Sequence, residues 1–272
     1  MEEKLNIGII GCGWLGLKAA QKLGALTPYI SCITSSKERI KELTDEGVTP
    51  TFLDLNDNDD SSLFDWLEYK DVVLVSISPS KLNNYTTVIS KIGKMLNGEQ
   101  KMVFVSSISV YDNKYTVVDE LSSLSPSKRS GSTLIDTEKA LYKTLQKRLT
   151  ILRMAGLVGG DRQPINYLAG KKNVKGRKHP INFIHQEDAA QLICHVLNYQ
   201  IFGQIINGVA GQHPTKEKYY PFVAEVFNLP SVDFDLSDLS QGKIVSNYKS
   251  IQLGMVYRYN HPMQFPELTP YI

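Results

Sequence analysis

The chain has little of what marks a specialised protein. Its 272 residues include only three cysteines, Cys12, Cys32 and Cys194, too few and too scattered for a disulfide framework. All three stand in apolar segments, where small core residues in a reducing compartment are expected. No cysteine/histidine group has metal-ligand spacing. No apolar run reaches the ~18 residues of a membrane span. The opening "MEEKLNIGII" is acidic and then strand-like, not the basic-then-apolar order of a secretory signal. Net charge is +2, which gives no pull towards nucleic acid or an acidic membrane. The G-x-S-x-G elbow of a serine hydrolase is absent, and there is no repeat or low-complexity tract. These absences leave a globular protein, expected in the cytoplasm. Its expected partners are a small-molecule substrate and a second copy of itself in a homodimer.

What is present is an alternation of strands and helices. Hydrophobic residues make up 42% of the chain and charged residues 21%, ordinary for a folded domain. "LNIGIIG", "YISCITS", "TFLDL", "VVLVSIS", "KMVFVSS" and "LTILRMAGLVG" read as six strands. Helical spacing occurs at 15–23, 39–45, 85–96 and 134–147. Continuous apolar strands with helices between them predict an α/β fold, a doubly wound parallel sheet covered on both faces. After Gly159 the rhythm changes to Gly, Pro and a basic loop, then helix, strand "GQIINGVAG", and helix. The expected division is a dinucleotide-binding Rossmann domain over 1–160. A smaller, irregular substrate lobe over 161–272 packs on it.

The first turn, "IIGCGWLG", satisfies G-x-G-x-x-G directly between a strand and a helix, the context that gives the pattern its meaning. Gly11 permits the tight turn, Gly13 lets a pyrophosphate approach, and Gly16 allows close helix packing. Trp14 and Leu15 open the helix, whose N-terminus favours phosphate. At the end of the second strand, where an NAD site usually carries an acidic residue, the chain reads "TSSKER". Ser35, Ser36 and Lys37, with Arg39 close behind, suit a 2′-phosphate better than a carboxylate would. The expected cofactor is therefore NADP, with NAD the alternative. Ser76 and Ser78 in "SISPSK" end the fourth strand on the same edge of the sheet.

The fifth strand, "VFVSSISVYDN", ends in hydroxyls at that edge too. "FVSSISVY", "LRMAGLVGGDR" and "INFIHQEDAAQLI" resemble, in order and spacing, segments of the extended and atypical short-chain dehydrogenases/reductases, the NAD-dependent epimerase/dehydratase group. That resemblance implies a Rossmann fold and an oxidoreductase. It also implies that Ser107 touches the reacting oxygen. The group's Tyr-x-x-x-Lys pair is missing. Aligning Gly131 and Glu138 with "Y-G-x-S-K-x-x-x-E" puts Ser130 at the tyrosine and Leu134 at the lysine. Tyr111, Tyr115 and Lys139 lie near in sequence but off register. Tyr111 joins Ser107 as a candidate catalytic group. The competing expectation is a non-catalytic NADP(H) sensor. By the same resemblance, His185 and Asp188 are expected to be structural. Arg153 is expected to order the sheet edge. The basic run Lys171, Lys172, Lys175, Arg177, Lys178 and His179 is either a solvated loop or a grip on an anionic, phosphorylated or sugar-nucleotide substrate.

Overall fold

The computed structural model describes residues 4–271 apart from Asn58 and Tyr115, with side chains through Leu268. Tyr115 therefore lies outside the described residues. The strands β1 (Ile7–Ile10), β2 (Ile30–Thr34), β3 (Thr49–Phe52), β4 (Val72–Val75), β5 (Lys101–Ser107), β6 (Leu149–Met154) and β7 (Ile205–Gly208) form one seven-stranded sheet. Its order is β7-β6-β5-β4-β1-β2-β3. β1 runs parallel to both β2 and β4, β2 to β3, and β4 to β5. Every residue of β1, β4 and β6 is buried, as a sheet covered on both faces requires. The chain leaves β1 towards β2 and β3 and returns on the other side to β4. The order therefore reverses between β1 and β4, and in such sheets ligands bind outside the carboxyl ends at that point.

The helices α1 (Trp14–Leu23), α2 (Arg39–Asp45), α3 (Asp60–Glu68), α4 (Tyr85–Met95), α5 (Arg129–Leu145), α6 (Gln186–Asn198) and α7 (Lys216–Val226) follow. Five of them match the apolar spacing in the sequence to within a residue or two, and α5 begins five residues earlier than that spacing predicts. α3 was not apparent there, because its buried residues are only Leu63, Trp66 and Leu67. Its start is fixed instead by Asp59, whose carboxylate accepts from Ser62 N at 3.1 Å, a side-chain N-cap.

Two further features differ from the sequence reading. "LTILRMAGLVG" divides at Ala155: Leu149–Met154 stays in the large sheet, while Gly156–Val158 pairs with Phe183–His185 in a separate two-stranded sheet. An apolar run carries no mark of where a strand changes partner. Nor does a single break at residue 160 separate the compact parts. One unit comprises Met1–Val110, Lys128–Arg153 and Ala190–Ile206; the other comprises Tyr111–Ser127, Met154–Ala189 and Asn207–Ile272. The second has its own core of Val158, Ile165, Ile181, Tyr219, Val223 and Phe265.

Candidate functional site

In the first unit, β1 ends in the glycine turn. Gly11 has φ +93°, and a Cβ there would lie 2.5 Å from Ile77 N. A Cβ on Gly16 would lie 2.3 Å from the Gly11 carbonyl oxygen. Both positions are glycine because the fold leaves no room. Gly13 is different: a Cβ there would meet nothing within 4 Å. Internal packing does not explain that glycine, and the space beside it is open to the approach of an outside group. Gly13 is also the N-cap of α1 and has no side chain to cap it; the first turn holds no acidic residue. The arrangement fits a pyrophosphate at the N-terminus of α1. Leu15 is buried and Trp14 half-buried.

Ser76 fastens the end of β4 to this turn, its hydroxyl donating to the Gly11 carbonyl at 2.8 Å. That hydrogen bond ties two strand ends together. Ser78 pairs with Ser80 at 3.0 Å. Beyond β2, Thr34 accepts from Ser36 N at 3.2 Å, and the Ser36 hydroxyl donates to Glu38 at 2.6 Å. Ser35 is exposed. The Lys37 ammonium lies 5.0 Å from the centre of the Phe52 ring, a cation–π contact. Arg39 is the cation brought to the turn: its Nη1 donates to the Cys12 carbonyl at 2.9 Å. Its Nε and Nη2 donate to Glu42, each at 3.1 Å. All three cysteines are buried.

At the end of β5, Ser107 is half-buried and its hydroxyl accepts from Ser109 N at 3.1 Å. Its neighbour Ser106 is buried and donates to Glu138 at 2.6 Å. Glu138 also holds Arg153 through Nε at 3.2 Å and Nη2 at 2.7 Å. The "E" and "LR" positions therefore meet Ser106, the residue before Ser107, in a buried cluster centred on Glu138. Spacing alone did not suggest this, since the three residues are 15 to 47 positions apart. Near the start of α5, Ser130 is exposed and Leu134 buried. Neither supplies a phenol or an ammonium.

The remaining candidates belong to the second unit. Tyr111 is 1% exposed, and its hydroxyl donates to Asn207 Oδ1 at 2.8 Å. The Lys243 ammonium donates to the Tyr111 carbonyl at 2.9 Å. Burial pushes the pKa of Lys243 down to about 8. The sequence offered no sign of this lysine. His185 Nδ1 accepts from Glu187 N at 3.2 Å, so Nε2 is the nitrogen that donates to Glu267, at 3.1 Å. Asp188 accepts from Arg258 N and Tyr259 N, both at 2.8 Å. Both residues are structural ties. Within the basic run, Arg177 pairs with Glu217 at 2.6 Å, and the backbone N–H of Gly176 donates to Asp238 at 2.7 Å. His179 bonds Ser240 at 3.0 Å. Among the described residues no group of three or more His, Cys, Asp and Glu could hold a metal ion, and no helix is long and apolar enough to cross a membrane.

No family model matches the chain. The protein YeeZ of Escherichia coli K12 is 28% identical over 275 residues, covering 96% of this chain and 98% of YeeZ. A proposed NAD-dependent epimerase/dehydratase from Methylobacillus flagellatus superposes with TM-score 0.79 at 20% identity, over 96% of each chain. UDP-glucuronic acid 4-epimerase from Bacillus cereus, in complex with UDP-glucuronic acid and NAD, superposes with TM-score 0.76 at 17% identity, over 92% of this chain and 93% of that one. The seven-stranded Rossmann fold of this chain is thus the fold of these epimerase and dehydratase structures.

Proposed function

We propose that this protein binds a nicotinamide dinucleotide at the β1–α1 turn. We further propose that it acts as an oxidoreductase of the epimerase/dehydratase type on a small substrate, with phosphorylated compounds and sugar-nucleotides the classes to test. The observation that carries the reading is Gly13, a glycine that packing does not demand, on an uncapped helix N-terminus. Gly11, Gly13 and Gly16 would cradle the pyrophosphate, with Trp14 and Leu15 opening the helix behind it. Ser35, Ser36 and Lys37 would face the adenosine ribose. A bound nicotinamide would supply the hydride chemistry. Ser107, at the carboxyl end of β5, would polarise the substrate oxygen. The Bacillus cereus epimerase holds NAD, while "TSSKER" here favours NADP. The experiment is a fluorescence titration of the protein with NADPH and NADH, followed by a panel of carbonyl compounds and sugar-nucleotides.

A second reading has an observation of its own. With Ser130 exposed, Leu134 buried and the Tyr111 hydroxyl committed to Asn207, a protein that binds the dinucleotide without turning it over, an NADP(H) sensor, is the alternative. Tight NADPH binding with no turnover on any substrate supports it.

A further inference from the structure

The cation at the glycine turn does not stand alone. Arg39 reaches the turn through one Nη1 bond to the Cys12 carbonyl, 2.9 Å long. The rest of its donor fork, Nε and Nη2, closes on both carboxylate oxygens of Glu42 at 3.1 Å. A guanidinium fork matches a phosphate as well as a carboxylate. Glu42 thus occupies the edge of Arg39 that an incoming phosphate would need. The pair is open to solvent, with side chains 33% and 51% exposed, so the carboxylate can be exchanged without disturbing the core. The other charged groups nearby are committed elsewhere: Glu38 to the Ser36 hydroxyl and Lys37 to the Phe52 ring.

Resting on the dinucleotide reading above, we propose that Glu42 sets the choice between phosphorylated and unphosphorylated dinucleotide by competing for Arg39. A 2′-phosphate must displace Glu42 or sit beside its negative charge. A 2′-hydroxyl faces neither cost. Glu42 acts as a brake on NADP affinity within a site whose other residues favour it.

The test is titration of the full-length protein with NADPH and NADH, following nicotinamide fluorescence at low and at high salt. Glu42→Gln should tighten NADPH by roughly three- to tenfold at low salt, an effect that shrinks as salt screens the exposed charges. NADH should be unaffected. Glu46→Gln is the control: this carboxylate sits at the end of the same helix but accepts from Gln21 at 2.7 Å, away from Arg39. It should leave both affinities unchanged. Arg39→Met in the Glu42→Gln background should erase the gain. An unchanged NADPH:NADH ratio in Glu42→Gln, or an equal gain in Glu46→Gln, overturns the role of Glu42 while leaving the dinucleotide site standing. Binding of neither nucleotide to the wild type overturns the dinucleotide reading and this proposal together.

Discussion

Arg153 and Glu138 form an ion pair at 2.7 Å with side chains only 3% and 4% exposed. It sits where β6 and α5 meet the end of β5, and the same carboxylate takes the Ser106 hydroxyl at 2.6 Å. A buried pair is weak evidence for net stability, since desolvation offsets attraction. Removing one partner is another matter, because it strands a charge out of water.

Glu138→Ala is therefore expected to cost about 3–5 kcal/mol, measured by urea denaturation. Combining Glu138→Leu with Arg153→Met should cost much less than the sum of the single changes, since no charge is then left unpaired. Additive losses would mean that the two side chains are not energetically coupled.

The three glycines of the turn should separate in their effects. Gly16→Val forces a side chain into the Gly11 carbonyl, 2.3 Å from the Cβ position, and should lower Tm sharply or prevent folding. Gly13→Val places its Cβ where no other residue lies within 4 Å and should keep a Tm near that of the wild type while losing the thermal shift with NADPH. A Gly13→Val protein that still binds NADPH at full strength would remove the pyrophosphate from this turn.

Ser107→Ala is expected to lower any reductase turnover by at least about tenfold, a partial loss of the roughly 10²–10⁴-fold that acid–base assistance supplies. Its hydroxyl accepts from the neighbouring Ser109 backbone N–H, so stability should change little. Turnover indifferent to this substitution would place the chemistry elsewhere.

Lys243 gives a pH signature. Burial lowers its folded pKa to about 8 from the ordinary 10.5. Between those values the unfolded chain binds the proton and the folded one does not, so stability contributed by this group rises as pH increases through that window. Comparing urea denaturation at pH 7 and pH 9.5, the wild type should gain about 1–2 kcal/mol relative to Lys243→Met, at 1.36 kcal/mol per pKa unit. A difference that stays flat with pH would mean that the ammonium is not desolvated in the folded protein.

Periodicity made the strands and most helices readable in advance, since apolar runs and 3.6-residue spacing are local properties of the chain. α3 escaped because its short apolar face is marked mainly by an Asp59 cap. The glycine turn was legible as well: Gly11, Gly13 and Gly16 lie within one short stretch of sequence, together with the strand–turn–helix context that gives them meaning. The absence of a phenol at 130 and an ammonium at 134 could likewise be read directly.

What depended on distant partners could not be. The place of the "GQIINGVAG" strand at the edge of the large sheet, the splitting of "LTILRMAGLVG" between two sheets, and the division of the chain into two units all follow from pairings across tens of residues. So does the fate of each polar side chain. Ser76 looked like a ligand group and is bound to the Gly11 carbonyl; Tyr111 looked poised and is buried against Asn207. The basic run left a solvated loop and an anion grip both open, and within it Arg177 faces Glu217. A hydroxyl or a charge advertises its chemistry in the sequence, but only its three-dimensional neighbours determine whether that chemistry is already spent. By itself, the sequence determined an α/β chain with a G-x-G-x-x-G turn between its first strand and helix, and a serine and a leucine at 130 and 134. Only the tertiary structure decided that Gly13 is free of packing and that Arg39 reaches the turn already held by Glu42, because both depend on atoms that folding alone brings within reach.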